Sequence, residues 1–230
     1  MKEAGLAELS AVIDAVRRSV AAPGRRNLGE GGPARLYLVS RTSHLAEGWC
    51  DRIPALELAG DAYFRQGYDG QAGGDDLGEA AREAGRALGV DVVWESPADV
   101  IPLPARWEER SLPATIGQGD PPAPGVPART LRGDLEIRHF DPYSVVLRLV
   151  ARGDEPDYVA ALEYVLHKWV DPARLEGLLS EVVPRMTNQT LAQDPAEFRR
   201  KFKGLRQLYL RSHAVYSPGG TRAGDAVSTA

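Results

Sequence analysis

The sequence has few of the residues that most often hold metals or close disulfides. Cys50 is the only cysteine among 230 residues, so no disulfide can close within the chain and no cysteine cluster can hold zinc. The four histidines lie far apart and include no H-x-x-x-H pair. Low cysteine usage is typical of a reducing compartment, and we therefore expect the protein in the cytoplasm.

Long apolar runs are missing as well. No stretch approaches the roughly 20 apolar residues that a membrane-spanning helix needs. Residues 1–16 carry acidic side chains within their apolar stretch and lack the continuous apolar centre of a signal peptide. We therefore expect a protein without a membrane partner.

Positive charge is not in excess, because 28 lysine and arginine residues face 32 acidic ones, a formal net charge of −4 at pH 7. This balance disfavours general nucleic-acid binding but permits a local basic face. Residues 198–211 combine apolar side chains at helical spacing with basic ones between them, which predicts a helix with a basic outer face. A solvated face explains the pattern, and RNA binding is the alternative. The basic residues are Arg199, Arg200, Lys201, Lys203, Arg206 and Arg211, and the apolar ones Phe198, Phe202, Leu205, Leu208 and Tyr209.

Helical and strand patterns alternate through the first half of the chain. Apolar residues from Leu6 to Val20 recur at steps of three and four, which predicts an amphipathic helix. Short apolar runs bounded by turn-forming residues predict buried strands. The predicted strands are 35–39, 55–59 and 90–94, the helices between them are 42–49 and 77–88, and one more strand, 134–139, is expected at the sheet edge. The alternation indicates an α/β fold.

The last third of the chain is predicted to be helical. Three helix starts share an aspartate followed by proline, which puts an N-cap acceptor before a residue whose missing N–H is not needed. They are Asp141-Pro142, Asp171-Pro172 and Asp194-Pro195, with a looser version at Asp154 and Pro156. The helices so opened are 142–152, 155–168, 172–183 and 195–211.

These patterns divide the chain into three predicted parts. Residues 1–128 form an α/β part that ends in a proline- and glycine-rich loop, 102–127. Residues 129–216 form a mostly helical part packed on it. Residues 217–230 are predicted to be a disordered tail.

Residues 36–61 read LYLVSRTSHLAEGWCDRIPALELAGD, a strand, a short helix and a second strand. This stretch resembles the start of the minimal nucleotidyltransferase families, which include the nucleotidyltransferase-type toxins of bacterial toxin–antitoxin pairs. Residues 95–110 and 139–144 resemble segments of a bacterial group with the same fold, so the likeness extends from residue 35 to residue 205. It implies a small mixed sheet flanked by helices and followed by a helical part.

The turn and the acids of these families serve metal-dependent transfer. A Gly-Gly-Ser or Gly-Gly-Thr turn after the first strand brings backbone N–H groups to the nucleotide phosphates. In R-x-T-x-D-x-D on the next strand, two carboxylates on one face hold Mg²⁺. In this chain Ser40-Arg41-Thr42 stands at the turn, and only Thr42 matches. Leu56 and Leu58 fall where the two aspartates belong, with Glu57 between them on the opposite face.

Further positions complete the comparison. Arg52 matches the arginine of the motif, Arg148 stands where a lysine often lies, and Asp157 matches an acid of an R-x-x-x-D pattern. The resemblance thus implies seven candidate site residues, with no protein-bound metal. Glu57 and Asp157 are the candidate catalytic residues, and Arg41, Thr42, Ser43, Arg52 and Arg148 the candidate substrate-binding ones. Simpler alternatives are a helix cap for Thr42 or Ser43, a solvated strand position for Glu57 and helix-dipole stabilisation for Asp157.

Three functions remain open at this point. The first is a catalytically degenerate nucleotidyltransferase fold that needs no cofactor and binds a nucleotide, another anion or a partner protein. The second is an active Mg²⁺-dependent enzyme that moves a nucleoside monophosphate to RNA or protein with acids recruited from Glu57, Asp61 and Asp157. The third is an interaction module of a toxin–antitoxin or defence system.

Overall fold

The computed structural model describes residues 1–21, 34–60, 76–94, 101–116, 135–186 and 194–216. Along these ranges the chain forms eight α-helices and five strands, a mixed α/β fold as the alternation predicts. The helices are α1 Leu6–Ala21, α2 Arg41–Ala46, α3 Asp76–Leu88, α4 Trp107–Arg110, α5 Pro142–Arg152, α6 Glu155–Leu166, α7 Pro172–Val182 and α8 Pro195–Tyr216. The strands are β1 Ala34–Leu38, β2 Ala55–Gly60, β3 Asp91–Trp94, β4 Leu112–Pro113 and β5 Leu135–His139. No helix in the described ranges is both long and apolar enough to cross a membrane.

The five strands form one mixed sheet in the order β3-β2-β1-β5-β4. β1 is antiparallel to β2 and parallel to β5, and β2 is parallel to β3. The prediction of β5 at the sheet edge is wrong, because β4 pairs with it on the outer side. β4 was missed because its two residues lie in a segment so rich in proline and glycine that it reads as loop.

The sheet also bears on the predicted division of the chain. The expected boundary after residue 128 and the expected disordered tail, 217–230, lie outside the described residues. β5 follows that boundary and pairs with β1 over five residues. The sheet therefore takes strands from both predicted parts, and the helical part begins only after β5.

Each face of the sheet carries its own apolar core. On one face Leu56 and Leu58 are fully buried with residues of α1 and α3. On the other face Tyr37 and Ala59 pack in a cluster with residues of α5, α6, α7 and α8. The prediction that Leu56 and Leu58 share one face of a buried strand, opposite Glu57, is confirmed, and this strand pairs with β1, where Leu58 lies opposite Leu38. Burial of each leucine stabilises the fold by about 1.5–3 kcal/mol.

Three of the four predicted helix starts carry a side-chain cap. The carboxylates of Asp141, Asp171 and Asp194 accept backbone N–H groups at 3.2, 2.7 and 3.0 Å. Asp154 precedes α6 but makes no side-chain cap hydrogen bond. The Asp-Pro pattern therefore predicts a capped start, whereas the looser spacing at Asp154 predicts only where the helix begins.

α8 departs from the predicted division into an apolar and a basic face. Lys201 points inward and donates to the carbonyls of Ala151 and Arg152 at 2.8 and 3.0 Å. Its side chain passes Gly153, which ends α5 with φ +77°, so closely that a Cβ there would meet the lysine at 2.8 Å. Leu208, predicted on the apolar face, is 39% exposed. Lys201 is inward because cations stabilise the free carbonyls at a helix C-terminus.

The caps give the first testable prediction. Asp171→Ala and Asp194→Ala should each lower the free energy of unfolding by about 0.5–2 kcal/mol, because each leaves a backbone N–H at a helix start without its acceptor. Urea denaturation followed by circular dichroism measures the change. Asp154→Ala is the matched control and should cost less than either. An equal loss in all three variants would contradict the role given to the caps.

Candidate functional site

The turn between β1 and α2 has a glycine-like backbone at a residue that is not glycine. Ser40 has φ 53° and ψ −125°, a conformation that residues with a Cβ rarely adopt and that costs about 1–3 kcal/mol. The hydroxyl of Tyr164 on α6 donates to the Ser40 carbonyl at 2.8 Å and holds the turn in place. The Ser40 hydroxyl is buried, with no hydrogen-bond partner among the described residues. The chain thus keeps a glycine conformation where the resemblance expects glycine.

The two hydroxyl residues after this turn bond to the sheet. Thr42 Oγ1 accepts the backbone N–H of Glu57 at 2.7 Å, and Ser43 Oγ donates to the Leu38 carbonyl at 3.0 Å. Both side chains are buried. The prediction that one of them caps α2 is wrong, because Ser40 is the N-cap residue and makes no side-chain cap bond. Thr42 and Ser43 tie α2 to β1 and β2 and do not reach the surface.

Glu57 and Asp157 lie in one network, which arginines connect. Arg148 Nη1 lies 3.4 Å from Glu57 Oε2, and Arg152 Nη1 lies 3.8 Å from the same oxygen. Arg152 also holds Asp157 with two hydrogen bonds, at 3.0 and 2.7 Å. The Glu57 side chain is 14% exposed and that of Arg148 1%. The simpler expectation of a solvated Glu57 is therefore wrong, and the helix dipole alone does not account for Asp157.

The orientation of β2 bears on the family motif. Glu57 alternates with Leu56 and Leu58 and faces α5, whereas the two leucines face the core beneath α1 and α3. The positions aligned with the two aspartates therefore point away from the network. The face that carries Glu57 continues at Ala59, so β2 supplies one carboxylate on that face. Asp61, a further acid considered above, lies outside the described residues.

The two remaining arginines lie in different places. Arg41 Nη2 donates to the carbonyl of Pro156 at 2.8 Å, next to Asp157 in the first turn of α6. Arg52 Nη1 donates to the carbonyl of Glu3 at 3.3 Å and has no described contact with the other candidate residues. The structure therefore gathers Arg41, Glu57, Arg148 and Asp157 near the start of α6, and leaves Arg52 at the N-terminal segment.

The electrostatics of the network follow from burial and pairing. Burial lowers the pKa of Arg148, although Glu57 opposes this shift. Burial also acts to lower the pKa of Arg152, but its hydrogen bonds to Asp157 and the charge of Glu57 raise it overall. Arg41, Arg148 and Arg152 bring three positive charges to the region that holds Glu57 and Asp157, and the charge of Asp154 also acts on Arg152.

The donor set of this network does not fit Mg²⁺. The ion takes carboxylate oxygens, with an octahedral shell at 2.0–2.1 Å. Here the oxygens of Asp157 accept from Arg152, and Glu57 lies between two guanidiniums. Among the described residues no three histidine, cysteine, aspartate or glutamate side chains come together as a metal would require. The network suits an anion better than a cation.

Sequence reasoning missed the aromatic cluster behind the turn. The rings of Trp49 and His167 stack at 4.0 Å, and His44 packs 4.6 Å from Tyr164. The fully buried hydroxyl of Tyr164 has its pKa raised by burial. These residues come from α2, from α6 and from the loops that follow them. Because they are far apart in the sequence, no local pattern predicts the cluster. Arg152 was also missing from the candidate residues, although its short spacing from Asp157 could be read from the sequence.

Comparison with family models, with curated proteins and with solved structures finds no match for this chain. The likeness to nucleotidyltransferases therefore stays a prediction from the sequence. Only the contacts within the chain bear on what the site can bind.

The ion network gives the second prediction. Glu57→Gln should lower the free energy of unfolding by about 2–4 kcal/mol, slightly below the 3–5 of a fully buried pair, because it removes the negative charge that faces the buried Arg148. The double variant Glu57→Gln, Arg148→Met should recover part of the loss, since it also removes the buried cation. Urea denaturation of the single and double variants measures the coupling.

An exposed ion pair provides the control. Arg17 lies 3.4 Å from Asp14, the same separation as in the buried pair, but the Asp14 side chain is 58% exposed. Asp14→Asn should cost less than about 1 kcal/mol. Strictly additive effects of Glu57→Gln and Arg148→Met would argue against a direct interaction between the two residues.

The buried histidine gives the third prediction. Burial, with smaller contributions from Arg41, His167 and His139, lowers the pKa of His44 from 6.5 to about 3. The unfolded chain therefore binds this proton at a higher pH than the folded one, and stability is lost as the pH falls below 6.5. For this group the loss approaches about 1.4 kcal/mol per pH unit. Urea denaturation at a series of pH values measures it.

His44→Phe should flatten this dependence, because the ring is kept and the proton site is removed. Some slope should remain, since burial also lowers the pKa of His139 against the opposing effect of Glu47. The same pH dependence in His44→Phe and in the unmodified protein would contradict the lowered pKa of His44 in the folded state.

Proposed function

We propose that this chain is a cytoplasmic nucleotidyltransferase-fold protein that no longer performs metal-dependent transfer and binds a nucleotide or a related phosphate anion near the start of α6. The observation that carries the proposal is the pairing of Glu57 and Asp157 with arginines. Carboxylates engaged in this way neutralise cationic side chains and leave no paired acids for a metal.

The positions of two arginines favour an anionic ligand. Arg41 is partly exposed, and the Arg152 side chain is 32% exposed, whereas Arg148 is buried. Arg41 and Arg152 bond to the neighbouring residues Pro156 and Asp157. Two partly exposed guanidiniums that bond to adjacent residues, with the buried positive charge of Arg148 in the same network, suit the oxygens of a phosphate.

The backbone of the turn supports the ancestry. A strand, a turn with a glycine-like residue, a short helix and a second strand follow one another as the resemblance expects. Ser40 keeps the strained conformation although the glycine that would relieve it is absent. Since a fold can outlive the site built on it, ancestry supports the architecture and leaves the activity to be tested.

The expected loss of nucleotidyl transfer follows from the negative charge of the triphosphate substrate. A nucleoside triphosphate brings about four negative charges, and in-line displacement needs a metal to hold the attacking and leaving oxygens. Arginines can bind the phosphates through bidentate contacts, but they do not replace the two carboxylates that anchor the metal.

The fourth prediction tests binding. The protein should bind nucleotides in the presence of EDTA, and Arg41→Ala should weaken binding roughly 10- to 150-fold, the loss of about 1.5–3 kcal/mol for a charged hydrogen-bond donor. Calorimetry measures the affinity. Arg52→Ala is the matched control, because Arg52 contacts the N-terminal segment, and it should leave affinity unchanged. Absence of nucleotide binding would contradict the proposal.

A transfer assay tests the other half of the proposal. The purified protein is incubated with each labelled triphosphate, with Mg²⁺ or Mn²⁺, and with total RNA or protein as acceptor. We expect no label on either acceptor. Metal-dependent labelling that Asp157→Ala abolishes would overturn the proposal and establish the active enzyme.

A further inference from the structure

An apolar groove runs between α7 and α8. It consists of two adjoining cavities of about 270 and 300 Å³, which share Glu176, Phe202 and Arg206. Leu175, Leu179, Phe202 and Leu205 form its floor, each at most 9% exposed. This surface is called the α7–α8 groove below.

Small and large side chains both line the groove. Ala173 and Ser180 line it from α7, and Phe202 and Tyr209 line it from α8. Leu210 lies at its end and is 58% exposed. The small residues leave apolar surface in contact with water, which a ligand with an apolar face would cover.

The rim of the groove is basic although the chain as a whole is acidic. Arg199, Lys203 and Arg206 line it, with Glu176 as the only acid among the lining residues. The formal net charge of the chain is −4. A local positive rim on an acidic protein attracts negatively charged ligands.

We propose that the α7–α8 groove binds an acidic amphipathic helix of a partner protein. Such a helix lays apolar side chains at i, i+3, i+4 and i+7 into a groove and turns its charged face to the rim. α7 spans Pro172–Val182, about 16 Å at the rise of an α-helix, which matches roughly three turns of a ligand helix. The apolar floor and the basic rim together define the chemistry of the partner.

Other occupants fit less well. A second copy docking through the same groove would set basic rim against basic rim, because a two-fold interface pairs a surface with itself. The C-terminal segment 217–230 has Val227 as its only large apolar residue and carries one acid, Asp225, against Arg222. RNA would use the rim but not the leucine and phenylalanine floor, since single-strand binding relies on exposed aromatic faces.

The test uses three labelled amphipathic peptides of about 16 residues, roughly the length of a marginally stable helix, with one leucine face and polar faces of glutamate, glutamine or lysine. Fluorescence anisotropy with the full chain should give the tightest binding for the glutamate peptide and the weakest for the lysine peptide. Ala173→Trp should abolish binding by filling the groove. Ala196→Trp, exposed at the start of α8 and outside the groove lining, should leave binding unchanged.

Charge reversal distinguishes binding by the basic rim from general electrostatic attraction between the protein and the acidic peptide. Lys203→Glu with Arg206→Glu should weaken binding of the glutamate peptide about tenfold. Arg200→Glu, whose side chain is 80% exposed and outside the groove lining, should change it by less than about twofold. Thermal melting confirms that each variant is folded.

Several outcomes would overturn the inference. These are equal binding of the three peptides, no binding of any of them, or binding that survives Ala173→Trp. A dimer in sedimentation that Ala173→Trp dissolves would assign the groove to a second copy. RNA binding lost on rim reversal but kept in Ala173→Trp would assign the rim to RNA. The nucleotide assay is independent, because none of the groove variants touches Arg41 or the ion network.

Discussion

The buried guanidinium of Arg148 constrains the orientation of β2, which lies next to it in the fold. Taking a cation out of water costs several kcal/mol, and a carboxylate must lie nearby to offset that cost. Glu57 provides it from β2, and the register of β2 then decides which residues face which core. With Glu57 turned toward α5, Leu56 and Leu58 must face α1 and α3, where they are fully buried. The ion pair of Glu57 with Arg148 and the apolar packing of the two leucines thus require the same strand orientation.

The same constraint explains why the site is rich in arginine and poor in available acid. Arg152 reaches from the end of α5 to both Glu57 and Asp157, so the two carboxylates lie within one chain of ion pairs but on different elements. A metal would need them side by side and released from the arginines. An anion needs neither change, because the partly exposed guanidiniums of Arg41 and Arg152 can donate hydrogen bonds to it.

The sequence predicted the helices and strands but few of the side-chain contacts between them. Period-two burial at Leu56 and Leu58 and the Asp-Pro helix starts are local patterns, so the order of the elements and three of the caps were predictable. The interior place of β5 was not, because it depends on β4, whose two residues carry no strand signal. The bonds of Thr42 and Ser43 to the sheet also escaped prediction. A hydroxyl near a helix start reads as a cap unless the neighbouring strand that offers another partner is known.

The two proposed surfaces share α8 as a support. One side of this helix carries Lys201, which holds the last carbonyls of α5, including that of Arg152. Another side carries Phe202 and Arg206, which line the α7–α8 groove. A ligand in the groove can affect the ion network only if it binds two arrangements of these helices with different affinities, and any such effect must be reciprocal. Gly153 limits those arrangements, because its backbone accommodates Lys201 so closely that no side chain would fit between them. The seating of Lys201 against the end of α5 is therefore one route by which a partner in the groove could change anion binding, and α6 is a second, since it carries Val165 in the groove and Asp157 in the network.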